Sequence, residues 1–561
     1  MNIANTIHFR NLRGDFFGGL TAAIVALPMA LAFGVASGAG AIAGLYCAIL
    51  LGFLAALFGG TPTLISNPTG PMTVVITSVI LNLTNAYPDE GLAMAFTVVM
   101  MAGIFQILFG IFKLGKFITL MPYTVISGFM SGIGVIMILL QVAPFLGQKN
   151  KGGIVGAVTN LPEYLSNANM AAIILASITL AIIFLVPSKI KKYAPPQLIA
   201  LVVGTGISLV FFGNSDLARI GEIPMGLPTL TFPTFTPDKV QVMIIDAVML
   251  GMLGCIDSLL TSVIADSITQ TQHDSDKELI GQGIGNLICG LCGGLPGAGA
   301  TMGTVVNIQG GGRTVLSGMI HSVILLVVVL FAAPITEPIP NAVLAGILVK
   351  VGLDIVDWNF LKRAHRLSWR AAAIMYGVLL LTVFVDLIVA VGVGVFIANI
   401  LTIKRLSDIQ SDKVKVITDA EAEEAELLDR EERILIKDTQ GQVLLLHLGG
   451  PMSFGAAKAI SQRQAIMQDY KIVILDVSDV PLLGVTATLA LESLIDEATK
   501  KHLEIYLVGG SGKVQSRLER FNILERIGQQ NQVATRVEAL SLAVNWLKQH
   551  NVKPAIAPTG V

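Results

Sequence analysis

The sequence predicts an α-helical polytopic membrane protein of fourteen spans followed by a small cytoplasmic α/β domain. Three observations carry that expectation: the composition, the recurrence of apolar segments over the first 406 residues, and an abrupt change of character after Arg405. The 561 residues are 53% hydrophobic and 13% charged, with a mean hydropathy of +0.74, whereas soluble domains carry about 25% charged residues. Most of the chain therefore belongs in membrane lipid. A net charge of -1 and a pI near 6.7 give no reason to expect a nucleic-acid partner.

The first apolar stretch follows Arg10 and Arg13. Its roughly 20 residues exceed the 7 to 15 of a signal-peptide core, so it reads as a first span. Further segments recur to about residue 406, each near the roughly 20 residues that a bilayer crossing needs and some distinctly shorter. Arg10, Arg13, Lys113, Lys116, Lys189, Lys191, Lys192, Lys277, Arg313, Lys362, Arg363, Arg366, Arg370, Lys404 and Arg405 fall in alternate gaps. The opposite gaps hold little beyond Lys149, Lys151, Arg219 and Lys239. By the positive-inside rule both termini are cytoplasmic, in a multi-pass plasma (inner) membrane protein.

Two segments are broken in the same way. SNPTGPMTVV (66–75) and GLPGAGATMGTVVN (294–307) each interrupt an apolar run with Pro and Gly before it resumes. One is the third of the first seven spans, the other the third of the second seven, the mark of a transporter built from inverted repeats. Irregular backbone survives in hydrocarbon only where it faces a protein-lined cavity. A helix that starts there offers free N–H groups and the positive end of its dipole, a cradle for an anion. Thr69 and Gly70 mark one such start; Gly299, Ala300 and Thr301 mark the other, with Gly299 expected at a backbone angle that only glycine adopts easily. The plainer alternative is that these residues merely kink ordinary spanning helices.

Asp257 lies deep within MLGCIDSLLTSVIADS, where a carboxylate is costly without a partner. Thr261, four residues on, shares its helical face, so carboxylate and hydroxyl are expected to line one wall. Beside an anion site the carboxylate needs either a proton or a bound cation, and the residues alone leave both open. Asn286 and His321 read as interhelical hydrogen-bonding residues. Cys47, Cys255, Cys289 and Cys292 read as small packing residues rather than metal ligands.

The expected domains are a transport domain at 1–406, a linker at 407–432 containing EAEEAELLDREE, and an α/β domain at 433–561. Its strands are VLLLHL (443–448), IVILDV (472–477) and EIYLVG (504–509), with helices near 455–468, 485–500, 512–522 and 538–549.

The runs DSLLTSVIADS (257–267), HDSDKELIGQGIGN (273–286) and GGLPGAGATMGTVVN (293–307) resemble the sulfate permease superfamily, and the tail resembles a STAS domain. TPTLISNPTGPMTVV resembles its sodium-dependent bicarbonate branch. The resemblance implies two inverted seven-span repeats, a core and a gate domain, elevator-type alternating access, and a homodimer formed partly through the STAS domain. It also implies a sodium site at Asp257, Thr301 and Gly299, and a bicarbonate site at Thr69, Gly70, Thr261, Ala300 and Thr301, with sodium as coupling ion and no other cofactor. Two departures stand out. Gly303 replaces an Arg found in many members, which favours a mobile cation; Gly484, Val485, Thr486 and Ala487 replace the regulatory Asp-Ser-Ser-Gly of the tail.

The expected function is sodium-dependent bicarbonate uptake. Proton-coupled uptake of sulfate or a dicarboxylate, and an anion channel or transceptor with a signalling tail, are the alternatives. Neither a G-x-x-x-x-G-K-[ST] loop nor a nucleophile elbow is present, so no enzyme is expected.

Overall fold

Apolar side chains around the whole circumference of a helix need either protein or lipid on every side, and the first 397 residues are built largely from such helices. The computed structural model describes residues 4–550 apart from 116–121, 152, 188–189, 191–194, 214, 222–227, 229, 386, 420, 422–425 and 464–465. Lys116, Lys189, Lys191 and Lys192 of the charge pattern, and part of the acidic run, lie outside the described residues. The chain forms two compact units, 1–397 and 398–561.

In the first unit the helices that position the site are α1 (Leu12–Ser37), α2 (Ala41–Phe58), α3 (Gly70–Ala86), α4 (Gly91–Ile111), α5 (Tyr123–Phe145), α6 (Val240–Thr269), α7 (Ser275–Leu291), α8 (Thr301–Gln309), α9 (Val315–Thr336) and α10 (Asn341–Ile355). Among the described residues, α1, α2, α4, α5 and α6 are long and apolar enough to cross a membrane, and five shorter apolar helices accompany them. Large apolar side chains cover the outside: Phe331 is 78% exposed and Val210 76%. Such a surface is stable only against lipid.

Glycine sets how closely these helices pack. A Cβ on Gly44 would lie 2.0 Å from the Ala30 carbonyl oxygen, and one on Gly283 would lie 2.6 Å from that of Gly103. α1 therefore meets α2, and α4 meets α7, backbone to backbone, as small-residue faces allow. Asp15 fastens the start of α1 to the turn after α8. Its Oδ1 accepts from the Arg313 and Thr314 N–H groups at 2.8 and 3.0 Å, and its Oδ2 from Thr314 Oγ1 at 2.7 Å.

The second unit holds a five-stranded sheet in the order β3 (Val414–Ile417), β4 (Val443–Gly449), β5 (Ile472–Asp479), β6 (Glu504–Val508), β7 (Gln532–Val533). β3 is antiparallel to β4, and the other pairs are parallel. All of β4 is buried, as a strand covered on both faces must be. One face packs on α11 (Phe454–Arg463) and α12 (Val485–Lys500) through Ile460, Leu491 and Leu494. The other packs on α13 (Arg536–Gln549) through Leu540, Ala543 and Leu547. β3 comes from the stretch expected to be linker: Val414 and Ile417, on its two faces, are 1% and 0% exposed, and four residues were too short to register as a strand.

Candidate functional site

The two broken segments meet. Ser66–Asn67 (β1) and Ala298–Gly299 (β2) pair antiparallel, Ser66 opposite Gly299 and Asn67 opposite Ala298. The Ala300 N–H donates to the Ile65 carbonyl at 2.8 Å, and Thr304 Oγ1 accepts from the Ile65 N–H at 3.0 Å. This crossing satisfies backbone that would otherwise be orphaned in the apolar interior. It also brings two helix starts together, α3 after Thr69 and α8 after Ala300. Neither start is capped by a side chain. The first N–H groups with helical acceptors are Thr73, bonded to Thr69 O, and Thr304, bonded to Ala300 O, both at 2.9 Å. The N–H groups of the first helical residues, Gly70 and Met72 in α3 and Thr301, Met302 and Gly303 in α8, have no helical acceptor, the arrangement that suits an anion.

A polar stripe on α7 holds the crossing in place. Glu278 Oε2 accepts from the Gly60 and Thr61 N–H groups at 2.9 and 2.8 Å. Gln282 Nε2 donates to Ser66 Oγ at 2.6 Å and to Glu278 Oε1 at 2.8 Å. Asn286 Oδ1 accepts from the Gly297 N–H, and its Nδ2 donates to Gly297 O and Gln106 Oε1, all at 2.9–3.0 Å. From α6, Ser258 Oγ accepts the Gly299 N–H at 3.0 Å. Asn286 thus clamps the turn, a more specific task than general interhelical bonding. The signal was legible: Glu278, Gln282 and Asn286 recur every four residues in an otherwise small and apolar run, which puts them on one helix face.

Thr69, Gly70, Asp257, Gly299, Ala300 and Thr301 all line one cavity of about 500 Å³. Asp257 Oδ2 and Thr69 Oγ1 are buried and have no hydrogen-bond partner among the described residues; the two side chains approach each other without a bond of ordinary geometry. Gly303 lines the same cavity and brings no charged side chain to it.

Two placements differ from expectation. Thr261 does not line the cavity: it is fully buried behind the wall, with Oγ1 2.9 Å from the Gly299 carbonyl oxygen and 2.8 Å from Thr301 Oγ1. Gly299 and Thr301, the residues it bonds, themselves line the cavity. Gly299 does not adopt a left-handed angle. It is extended, and the space beside it is tight, since a Cβ would lie 3.1 Å from the Ser258 Cα and from both Leu64 methyl carbons.

Chemically, the cavity offers convergent N–H dipoles for an oxyanion, together with one carboxylate and nearby hydroxyl and carbonyl oxygens for a hard cation. The Sulfate permease family profile matches residues 12–378, and the STAS domain profile matches 435–539. The chain is 59% identical over 564 residues to a bicarbonate transporter, BicA, of a Picosynechococcus species, covering 100% of this chain and 99% of that protein. The solved transmembrane domain of a cyanobacterium bicarbonate transporter BicA is 66% identical, with a TM-score of 0.67, covering 70% of this chain and 100% of that one. The murine solute carrier 26 member A9 anion transporter shares the fold at 19% identity, with a TM-score of 0.81 over 96% of this chain and 92% of that one.

Proposed function

Because this chain belongs to the sulfate permease family and carries a STAS domain, we propose that it is a bicarbonate transporter that takes up the anion together with sodium. The observation that carries this reading is the convergence of two uncapped helix starts and the partnerless Asp257 oxygen on one cavity. Identity to proteins named as bicarbonate transporters supports the choice of anion. Asp257, Thr301 and the Gly299 carbonyl would hold sodium. Thr69, Gly70, Ala300 and Thr301 would face bicarbonate, with Thr261 supporting Thr301 from behind.

Coupling follows from charge. A carboxylate repels an anion more strongly as the dielectric falls. One sodium ion reverses that interaction, and a sodium–bicarbonate pair adds no net charge to the cavity, so crossing the apolar interior costs less than it would for a lone ion. The broken helices at corresponding places support two inverted seven-span repeats, a core carrying the site and a gate beside it, with elevator-like exchange between the two sides of the membrane. The Lys/Arg pattern supports an inner-membrane protein with both termini cytoplasmic. A homodimer held partly by the STAS domain completes the reading, and no covalent chemistry is involved.

Labelled-bicarbonate uptake into proteoliposomes, with and without a sodium gradient and with sulfate as competitor, tests it. Saturable uptake that needs the sodium gradient and resists sulfate supports it. Uptake driven by acid alone would transfer Asp257 to a proton-carrying role.

A further inference from the structure

We propose that Lys350 is an outer docking point for the oxyanion, one step from the core cavity, and that Asp354 controls its availability. The assignment rests on the transport reading above. A second cavity of about 630 Å³ adjoins the core cavity, and the two share Val25, Met302, Val306 and Asp354. A third, of about 480 Å³, is lined by the opposite end of α1, around Val35 to Gly38, and shares no lining residue with the core cavity. The core cavity thus has its neighbouring cavity on the side of Thr21 and Ile24, which the proposed topology makes cytoplasmic.

Lys350 and Asp354 sit one turn apart on α10 and form an ion pair through both carboxylate oxygens, the Oδ2 contact at 2.5 Å. Their side chains are 18% and 41% exposed. The ammonium also lies 5.6 Å from the centre of the Phe184 ring, on the helix Met170–Leu185. Charged groups on an apolar spanning helix are expensive and are retained where an ion passes. Among the described residues, the two adjoining cavities have three charged lining residues: Asp257, Asp354 and Lys350. Lys350 is the one positive charge among these three.

An ammonium has three N–H donors, and a single carboxylate leaves one for a second acceptor. Gln197 and Gln309 line the same cavity, the Gln197 amide already donating to Met302 Sδ at 3.8 Å. A small planar oxyanion arriving there takes the spare donor and competes with Asp354 for the others. Asp354 also borders the core cavity, so once released it faces the space where the coupling cation would sit. The anion's arrival and the exposure of a second carboxylate to the cation site become one event.

The test uses full-length protein of known orientation in proteoliposomes, with the half-saturating bicarbonate concentration measured at each face. Lys350→Gln should raise it about tenfold at the cytoplasmic face, the worth of one hydrogen bond to a charged group, and leave the opposite face unchanged. Asp354→Asn, which frees the ammonium, should lower it at that face. Opposite signs separate docking from a merely structural ion pair, whose two halves would fail alike. Unchanged half-saturation in folded Lys350→Gln, or equal losses in both variants at both faces, overturns the assignment. If the wild type carries sulfate instead of bicarbonate, the transport reading fails, and the same comparison with labelled sulfate decides the role of Lys350.

Discussion

Thr261 Oγ1 stands 2.9 Å from the Gly299 carbonyl oxygen and 2.8 Å from Thr301 Oγ1, joining two of the three proposed sodium-holding positions from behind. A hydroxyl has one proton to give. If Thr261 donates it to Gly299 O, it must accept that of Thr301, and the Thr301 lone pairs are left facing the cavity.

Thr261→Val should therefore weaken sodium binding without touching the cavity surface. It removes the acceptor that turns the Thr301 proton away from the cation and leaves the Gly299 carbonyl without that partner. The half-saturating sodium concentration should rise roughly tenfold, about the worth of one such bond, while bicarbonate half-saturation at saturating sodium changes little. Thr261→Ser should restore the wild-type value. An unchanged sodium requirement in the valine variant removes Thr261 from the ion-binding network.

Gly303 tests the missing fixed charge. A Cβ there would lie 3.3 Å from Ile65 Cγ2 and 3.5 Å from Asn67 Nδ2, a tight but passable fit, and the position lines the cavity with Asp257. Gly303→Arg should place a guanidinium where sodium is proposed to sit and pair it with Asp257. The folded variant should either stop transporting or carry anion with reduced sodium dependence. Full activity with the wild-type sodium requirement would show that a fixed cation at 303 does not replace the mobile one. Gly299→Val is a different case: the contact at Ser258 Cα is backbone and cannot yield cheaply, so overpacking of about 1–3 kcal/mol should lower folded yield before it affects binding.

The two breaks in the apolar pattern made the heart of the site legible. Pro68, Gly70 and the Gly-rich 294–303 run sit in an apolar interior where backbone serves something other than spanning, whereas their pairing as two short strands, Ser66 opposite Gly299, comes from the structure alone. Asp257 was legible by cost. What sequence spacing could not give was direction: Thr261 shares a helix face with Asp257, yet β2 and α8 cover it, and no helical periodicity encodes which neighbour lies on top. Lys350 and Asp354, the pair proposed above to receive the anion, gave no signal in the sequence because an i,i+4 pair of opposite charge reads as ordinary helix surface. β3 was missed because its four residues gain a partner only through β4, a contact distant in sequence.

In the second unit, Asp476 is fully buried within β5, where it accepts from His447 Nδ1 at 2.7 Å, Arg536 Nε at 3.2 Å and the Ser478 N–H at 3.0 Å. Burial alone would push its carboxyl up, but the bonds from His447 and Ser478 outweigh it and hold the group below the usual range. A depressed folded-state value stabilises the ionised form, so this contribution is complete above the ordinary Asp value near 3.9 and is lost only as pH falls through the lower, folded-state value. Hydrogen exchange of residues 472–479 in the intact protein should stay slow from neutral pH down to about 4, after allowance for intrinsic exchange rates. Asp476→Asn should destabilise this unit by about 3–5 kcal/mol, because it strips the charge from a buried network. Protection in the variant equal to wild type at neutral pH would contradict this.

The most direct test of the central claim is sodium-driven uptake of labelled bicarbonate by purified, reconstituted Asp257→Asn beside the wild type. The amide keeps the shape of the side chain, so the chain should fold and insert as before, but it lacks the charge proposed to hold sodium against the anion cradle. Loss of sodium-driven uptake in a folded variant is the predicted result. Uptake with the wild-type rate and sodium dependence would contradict the account.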